Sequence, residues 1–160
     1  MRHRRAPLPG FHTFIVRTVG DPRHPARFCW DWFARPLREA SFVGFWRRWN
    51  PVYGYVLLYF IYRPLRRVLP RPAAVLATFL VSGFALHDVP FGNGLEILRG
   101  QAAVPEVTIL MGIFGVMTVA SRAAGLDLSA HGWRVRASVN ATLLLIGFAL
   151  RHLILYLIRR

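Results

Sequence analysis

Three stretches of this chain, Ala73 to Leu86, Val107 to Ser121 and Ala137 to Leu150, contain no Asp, Glu, Lys, Arg or His. Such blocks suit surroundings without water, where a backbone must satisfy its own hydrogen bonds and a helix does so along its length. A membrane span takes about 20 largely apolar residues. The first block, extended from Pro70 and Pro72 to about Val89 and stopped by Pro90 and Gly92, is just long enough to cross. The others, from about Val104 to Ser121 and from about Ala137 to Ile158, have the length of ordinary spans. An earlier apolar run, Val52 to Tyr62, is too short and ends in Arg63, Pro64, Arg66 and Arg67, so it is expected to dip into or lie along one leaflet. The fold class that follows is all-α: a polytopic helical membrane protein with about three transmembrane helices plus a re-entrant or interfacial helix.

Against this apolar pattern stands a formal net charge of +14. All 21 positive side chains are arginine, and fourteen fall at or before Arg71. Arginine clusters neutralise phosphates, but a nucleic-acid binder has no use for three charge-free blocks after its basic segment. Anionic lipid headgroups are therefore the expected partner, and no nucleic acid. A basic flank beside apolar spans is also a topology signal. It puts Arg63 to Arg71 and the loop with Arg122, Arg134 and Arg136 on the cytoplasmic side, with Arg99 outside; Arg159 and Arg160 run against it. The chain is read as one domain, 1–160, with a basic, Pro-rich interfacial region over 1–40 containing one short helix and a membrane region over 41–160. Cys29 is the only cysteine, which excludes an internal disulfide and a cysteine-based zinc site. The basic N-terminus leads into no apolar run of signal-peptide type, so insertion is assigned to the internal segments, and the plasma membrane of a bacterium is the expected location.

Two places carry chemistry. ATFLVSGFALHDVP sets His87 and Asp88 near the end of the first span. Ionisable groups in hydrocarbon are costly and turn toward a partner or a water-filled cavity. Position alone leaves His87 open between an interfacial histidine and a reactive one. Upstream, SFVGFWRRWN packs Trp46 and Trp49 around Arg47 and Arg48, with Asn50 before Pro51. By itself this is an aromatic and basic interfacial belt ending in a turn residue.

Taken together, FWRRWN followed some tens of residues later by ATFLVSG and a histidine resembles the core of the membrane-bound O-acyltransferase family, in particular its wax-synthase-like branch. The resemblance runs from about Pro36 to Pro90. It implies that Asn50 is the family's motif asparagine and His87 its intramembrane histidine, and that an acyl group passes from a donor such as acyl-CoA to a hydroxyl acceptor. Acyl-CoA is then a co-substrate, with no other cofactor and no metal. Two departures accompany it. Asp88 stands where the family often has glutamate, and members usually have more helices than these, so a homo-oligomer or a membrane partner is expected to complete the chamber.

On this reading His87 is the general base and Asn50 orients substrate or donates a hydrogen bond to a developing oxyanion. Trp46, Trp49, Arg47 and Arg48 are the expected substrate-binding residues. Arg63, Arg66 and Arg67 have the same alternatives as Arg47 and Arg48, donor phosphates or lipid headgroups. Asp88, turned about 100° from His87 on a helix, is expected to end the span or to pair with an arginine. Ser82 is turned about 140° from His87 on an ideal α-helix, which argues against a Ser-His pair. Asn140 and Thr142 read as packing or interhelical hydrogen-bond groups, and Arg151 and His152 as side chains snorkelling to the far interface. His3, His12 and His24 lack metal-ligand spacing. The alternative function is a small non-catalytic membrane protein that acts as an assembly partner.

Overall fold

The computed structural model describes residues 10–20, 23–101 and 103–160, and every regular element among them is helical. Residues 1–9, with His3, lie outside the described residues. Three helices are long and apolar enough to cross a membrane: Arg71–Phe91, Glu106–Ala123 and Trp133–Ile158. This is the architecture expected from the charge-free blocks. The third span starts at Trp133 rather than near Ala137, because Arg134 and Arg136 ride on its first turns. There Arg136 reaches back to the carbonyls of Leu128, Ser129 and His131 and holds the preceding loop.

The N-terminal region departs from its expected irregularity. It forms two helices, Phe11–Thr18 and Pro25–Leu37. Pro25 occupies the first turn, where its missing N–H costs nothing, and Pro36 comes only at the end. Between them Asp31 pairs with both Arg27 and Arg35 at i,i+4 spacing, which favours the helix.

From Ala40, whose carbonyl accepts from Leu128 N, the chain enters the bundle. The short helix Phe42–Arg48, capped by Ser41 through its Oγ to Gly44 N, brings Phe42 and Phe45 fully into the core against Leu110 and Phe114 of the second span. A turn at Asn50 reverses direction, and the helical stretch Pro51–Val56, Leu57–Tyr62 and Arg63–Leu65 follows. Tyr53, at its start, meets His87 near the end of the first span, and Leu65 lies close before the first span begins at Arg71. The stretch therefore runs antiparallel beside that span and leaves the bundle where it came in, as a re-entrant helix. Asn140 of the third span, fully buried, donates through Nδ2 to the carbonyls of Leu37 and Glu39 and pins the point of entry.

Close packing between the spans depends on small residues. A Cβ at Gly83 would lie 2.5 Å from Thr108 Cα, and one at Gly147 would lie 2.2 Å from a Phe114 ring carbon. With little hydrophobic drive between helices in lipid, contact of this intimacy is what holds spans together. The outward faces carry Val116, Leu145, Phe148 and Leu153, all exposed and apolar, as lipid requires.

Two outcomes are expected. The chain should stay with membranes through alkaline carbonate extraction, and recovery of most of it in the supernatant would overturn the three-span architecture. Gly83→Ala should lower the thermal midpoint in detergent, since overpacking typically costs about 1–3 kcal/mol, whereas Gly132→Ala, whose Cβ would meet nothing within 4 Å, should leave it unchanged.

Candidate active site

Proline shapes both segments that carry the candidate residues. Pro64 and Pro90 each lack an N–H and crowd the carbonyl four residues earlier, so an α-helical ladder cannot run through them undisturbed. In each case the helix widens just before the proline into a π-turn, Leu57–Tyr62 and Phe84–Asp88. The N–H groups of Arg63 and Val89 bond five residues back, to Leu58 O and Phe84 O. Single π-turns of this kind recur at functional sites.

The wide turn alters where His87 lies. On an ideal α-helix Ser82 and His87 diverge, but in the π-turn they stack, and His87 Nδ1 lies 2.7 Å from the Ser82 carbonyl oxygen. A carbonyl only accepts, so this bond assigns a proton to Nδ1, and in the neutral ring the lone pair is then on Nε2. The Ser82 hydroxyl is not the group involved. His152 makes a similar bond to Phe148 O, so the bond alone does not mark His87. What does is the Tyr53 ring, edge-on to the imidazole with centroids 5.3 Å apart.

Tyr53 joins the two motifs. Asn50 has φ 42°, the one positive φ at a non-glycine among the described residues, and asparagine tolerates that left-handed conformation. Its Oδ1 accepts from Tyr53 N at 3.4 Å and caps the helix that begins at Pro51. Asn50 thus sets the turn that presents Tyr53 to His87. The Asn-Pro-x-Tyr spacing held this information, but nothing in it said which ring Tyr53 would meet.

Asp88 neither ends its span nor pairs with an arginine, contrary to expectation. It is 1% exposed. Its Oδ1 accepts from Val107 N at 3.1 Å, and its Oδ2 accepts from Thr108 N at 2.7 Å and Thr108 Oγ1 at 2.6 Å. These are the first-turn donors of the second span, whose own N-cap is Pro105, a residue with no side-chain acceptor. The carboxylate supplies the cap from the neighbouring helix and places negative charge at the positive end of the helix dipole. It fixes the π-turn, and with it His87, to the start of the second span.

The other candidate residues lie elsewhere. Trp46 packs among Phe42, Phe45, Phe79 and Phe114, and its indole N–H is buried without an acceptor. Trp49 stacks on Phe45 and meets the edge of Phe33. Arg48 pairs with Glu39 and donates to the carbonyl of Thr18. Arg47 lines an open cleft of about 450 Å³ with Ser41, Val43, Ser121, Arg122, Gly125, Leu126 and Asp127, beyond the far end of the second span from Asp88. Arg63 stands over the Tyr59 ring, and Arg66 donates to Leu69 O. Arg151, expected to snorkel, turns instead to Glu106, which also receives Arg159. Among the described residues no three of His, Cys, Asp or Glu gather closely enough to share a metal.

Residues 22–92, which contain both motifs, the re-entrant helix and the first span, match the family described as MBOAT, membrane-bound O-acyltransferase. Two plant proteins from Arabidopsis thaliana align with the chain. One, named probable long-chain-alcohol O-fatty-acyltransferase 9, is 35% identical over 129 residues, covering 72% of this chain and 35% of its own length. The other, probable long-chain-alcohol O-fatty-acyltransferase 3, is 34% identical over 123 residues, covering 71% of this chain and 34% of its own length. Both comparisons point the same way: residues 22–92 are similar to the membrane-bound O-acyltransferases, and the aligned plant proteins carry fatty-acyltransferase names. The chain spans about a third of the length of the relatives it matches. No solved structure matches it. The family match and the three apolar helices make it an integral membrane protein. Within the matched segment, the histidine is held by a proline-induced π-turn, an aspartate clamp and a tyrosine from the helix that follows Asn50.

Removing the clamp should cost stability. Asp88→Ala leaves two backbone N–H groups and a hydroxyl without their acceptor, and each buried unpaired group typically costs about 1–3 kcal/mol. Asp88→Asn keeps one acceptor oxygen. Thermal unfolding in detergent should therefore rank wild type above Asp88→Asn above Asp88→Ala; indistinguishable midpoints would show that the clamp carries no load.

Proposed function

We propose that this protein transfers a fatty acyl group from an acyl-CoA-type thioester to a long-chain alcohol, with His87 as general base. The observation that carries the reading is the imidazole itself: Nδ1 tied to the Ser82 carbonyl, Nε2 left as a proton acceptor, and the ring braced by Tyr53 from the Asn50 turn. The relatives' names give the substrate class, fatty acyl group and long-chain alcohol.

In the proposed step, His87 Nε2 takes the hydroxyl proton as the alcohol oxygen attacks the thioester carbonyl. A C–O bond forms, the C–S bond breaks, and the proton passes from the imidazolium to the departing thiolate. The thioester brings its own activation, so acyl-CoA is a co-substrate and the ester-forming step calls on no further cofactor. The Asn50 side chain uses its oxygen as a cap, which leaves its amide N–H groups as donors for substrate. Trp46 contributes a buried N–H that an oxygen of bound substrate would satisfy. Arg47, in the polar cleft, suits phosphate. Arg48 and Trp49 act on the site through the packing of the motif helix.

The reading includes an assembly. A second copy or a membrane partner packs against the exposed apolar faces of these three spans and completes the walls of the chamber. Anionic lipids contact the basic end, and the bilayer we assign is a bacterial plasma membrane; fractionation of the host decides that location. The second reading is a non-catalytic assembly partner, which would use the same exposed apolar faces.

The test uses detergent-purified protein, labelled long-chain acyl-CoA and long-chain alcohols. His87→Ala should reduce turnover by roughly 10²–10⁴-fold while expression and insertion stay unchanged. Asn50→Ala should reduce it less, and His152→Ala should leave it intact. Equal turnover for wild type and His87→Ala would remove His87 as base. A well-folded wild type without ester formation, alone or with its membrane partner, would favour the non-catalytic reading.

A further inference from the structure

The helix Pro25–Leu37 carries three separate stripes. Phe28, Trp32 and Pro36 form one, with the Phe28 and Trp32 rings edge to face at 5.5 Å and Pro36 buried. Arg27, Asp31 and Arg35 form the second, an ion-pair ladder along one side. Ala26, Cys29, Trp30 and Phe33 form the third, at the i, i+3, i+4, i+7 spacing of a single helix face. All four of these are exposed, Trp30 at 64% and Phe33 at 59%. Two large aromatic side chains on one face of a polar-sided helix need a cover.

We infer that this helix lies in the membrane-water interface, with the Ala26, Cys29, Trp30 and Phe33 stripe seated among anionic lipids at the headgroup and acyl boundary. Three observations name lipid as the occupant. The helix is joined to the bundle at the level where the third span begins: Arg38, which follows it, stands over the Trp133 ring, and Asn140 holds Leu37. At that junction the first turn of the third span exposes Trp133 and Val135, so the helix ends beside apolar surface of a membrane-spanning helix. The charge is complementary to anionic headgroups: residues 23–38 hold four arginines against one aspartate. Tryptophan and phenylalanine opposite a basic face are what an interfacial helix presents, with its apolar side sunk about 5–10 Å. The inference rests on the membrane placement and not on the acyl-transfer reading.

Cys29 makes the test direct, because it is the only cysteine in the chain, is exposed, and sits on the stripe in question. A nitroxide is attached to Cys29 in detergent, the protein is returned to vesicles of phosphatidylcholine with phosphatidylglycerol, and collisions with oxygen and with a water-soluble nickel chelate are compared. Ser129→Cys and Val116→Cys, each in a Cys29→Ser background, serve as references for water and for lipid. Oxygen accessibility above nickel accessibility at Cys29, between the two references, is the expected result. Replacing phosphatidylglycerol by phosphatidylcholine should raise nickel accessibility, and so should Trp30→Ser with Phe33→Ser, a pair of exposed changes that leaves all three spans intact. A Cys29 label that matches the Ser129 reference would overturn the inference. So would dipolar broadening between labels, which would put a second copy on the stripe, or a label that neither reagent reaches, which would put another protein there.

Discussion

The rest of the structure hangs on a carboxylate shared between two helices. In hydrocarbon the first N–H groups of a helix have neither water nor an intrahelical partner, and a span that starts after proline cannot cap itself with that residue. Asp88 meets this need from the neighbouring span. One interaction then fixes the start of the second span, the end of the first, and the wide turn that carries His87. The glycine at position 83 lets the two backbones approach closely enough for the carboxylate to reach. Glu106, one residue before the clamped pair, draws Arg151 of the third span and Arg159 just past its end, so a short polar layer joins all three helices.

At the opposite end the fold is held by different means. Aromatic rings from the motif helix fill the space between spans, with Phe42 against both Phe45 and Phe114 and Trp46 meeting all three. Arg48 holds the motif helix to Glu39 and to the first helix of the chain. The motif FWRRWN thus works in two directions. Its rings build the core, and its final asparagine turns the chain so that the next helix delivers a tyrosine to the histidine.

Much of this was legible before any coordinates. Charge-free length marks the spans because charge is costly in lipid, and the shortness of Val52 to Tyr62 marks the re-entrant helix because it cannot cross. Two separated motifs in order pointed to the family and to His87 and Asn50. Other features were hidden for physical reasons. Helical-wheel geometry assumes about 100° per residue, and Pro90 invalidates that assumption for the residues just before it, so the stacking of His87 over Ser82 O was invisible. The partner of Asp88 lies about twenty residues on, across an inter-span turn that no local pattern encodes. An i,i+4 ladder spread through a proline-rich segment made Pro25–Leu37 look irregular, since proline counts against a helix except at the ends, where these two lie.

The pair of wide turns has a consequence for how such a chain tolerates change. A π-turn holds one residue more than the α-turn it replaces, so each of these helices stores a spare residue just ahead of its proline. That residue is phase, in the sense of a gear train: losing it would leave both ends of the helix intact while rotating everything after it by roughly a quarter turn or more. For the first span, the part that rotates includes the imidazole and the carboxylate that anchors it. Sequence length between Gly83 and Pro90 is therefore as tightly constrained as the identity of any side chain between them, although every residue there could be kept in kind.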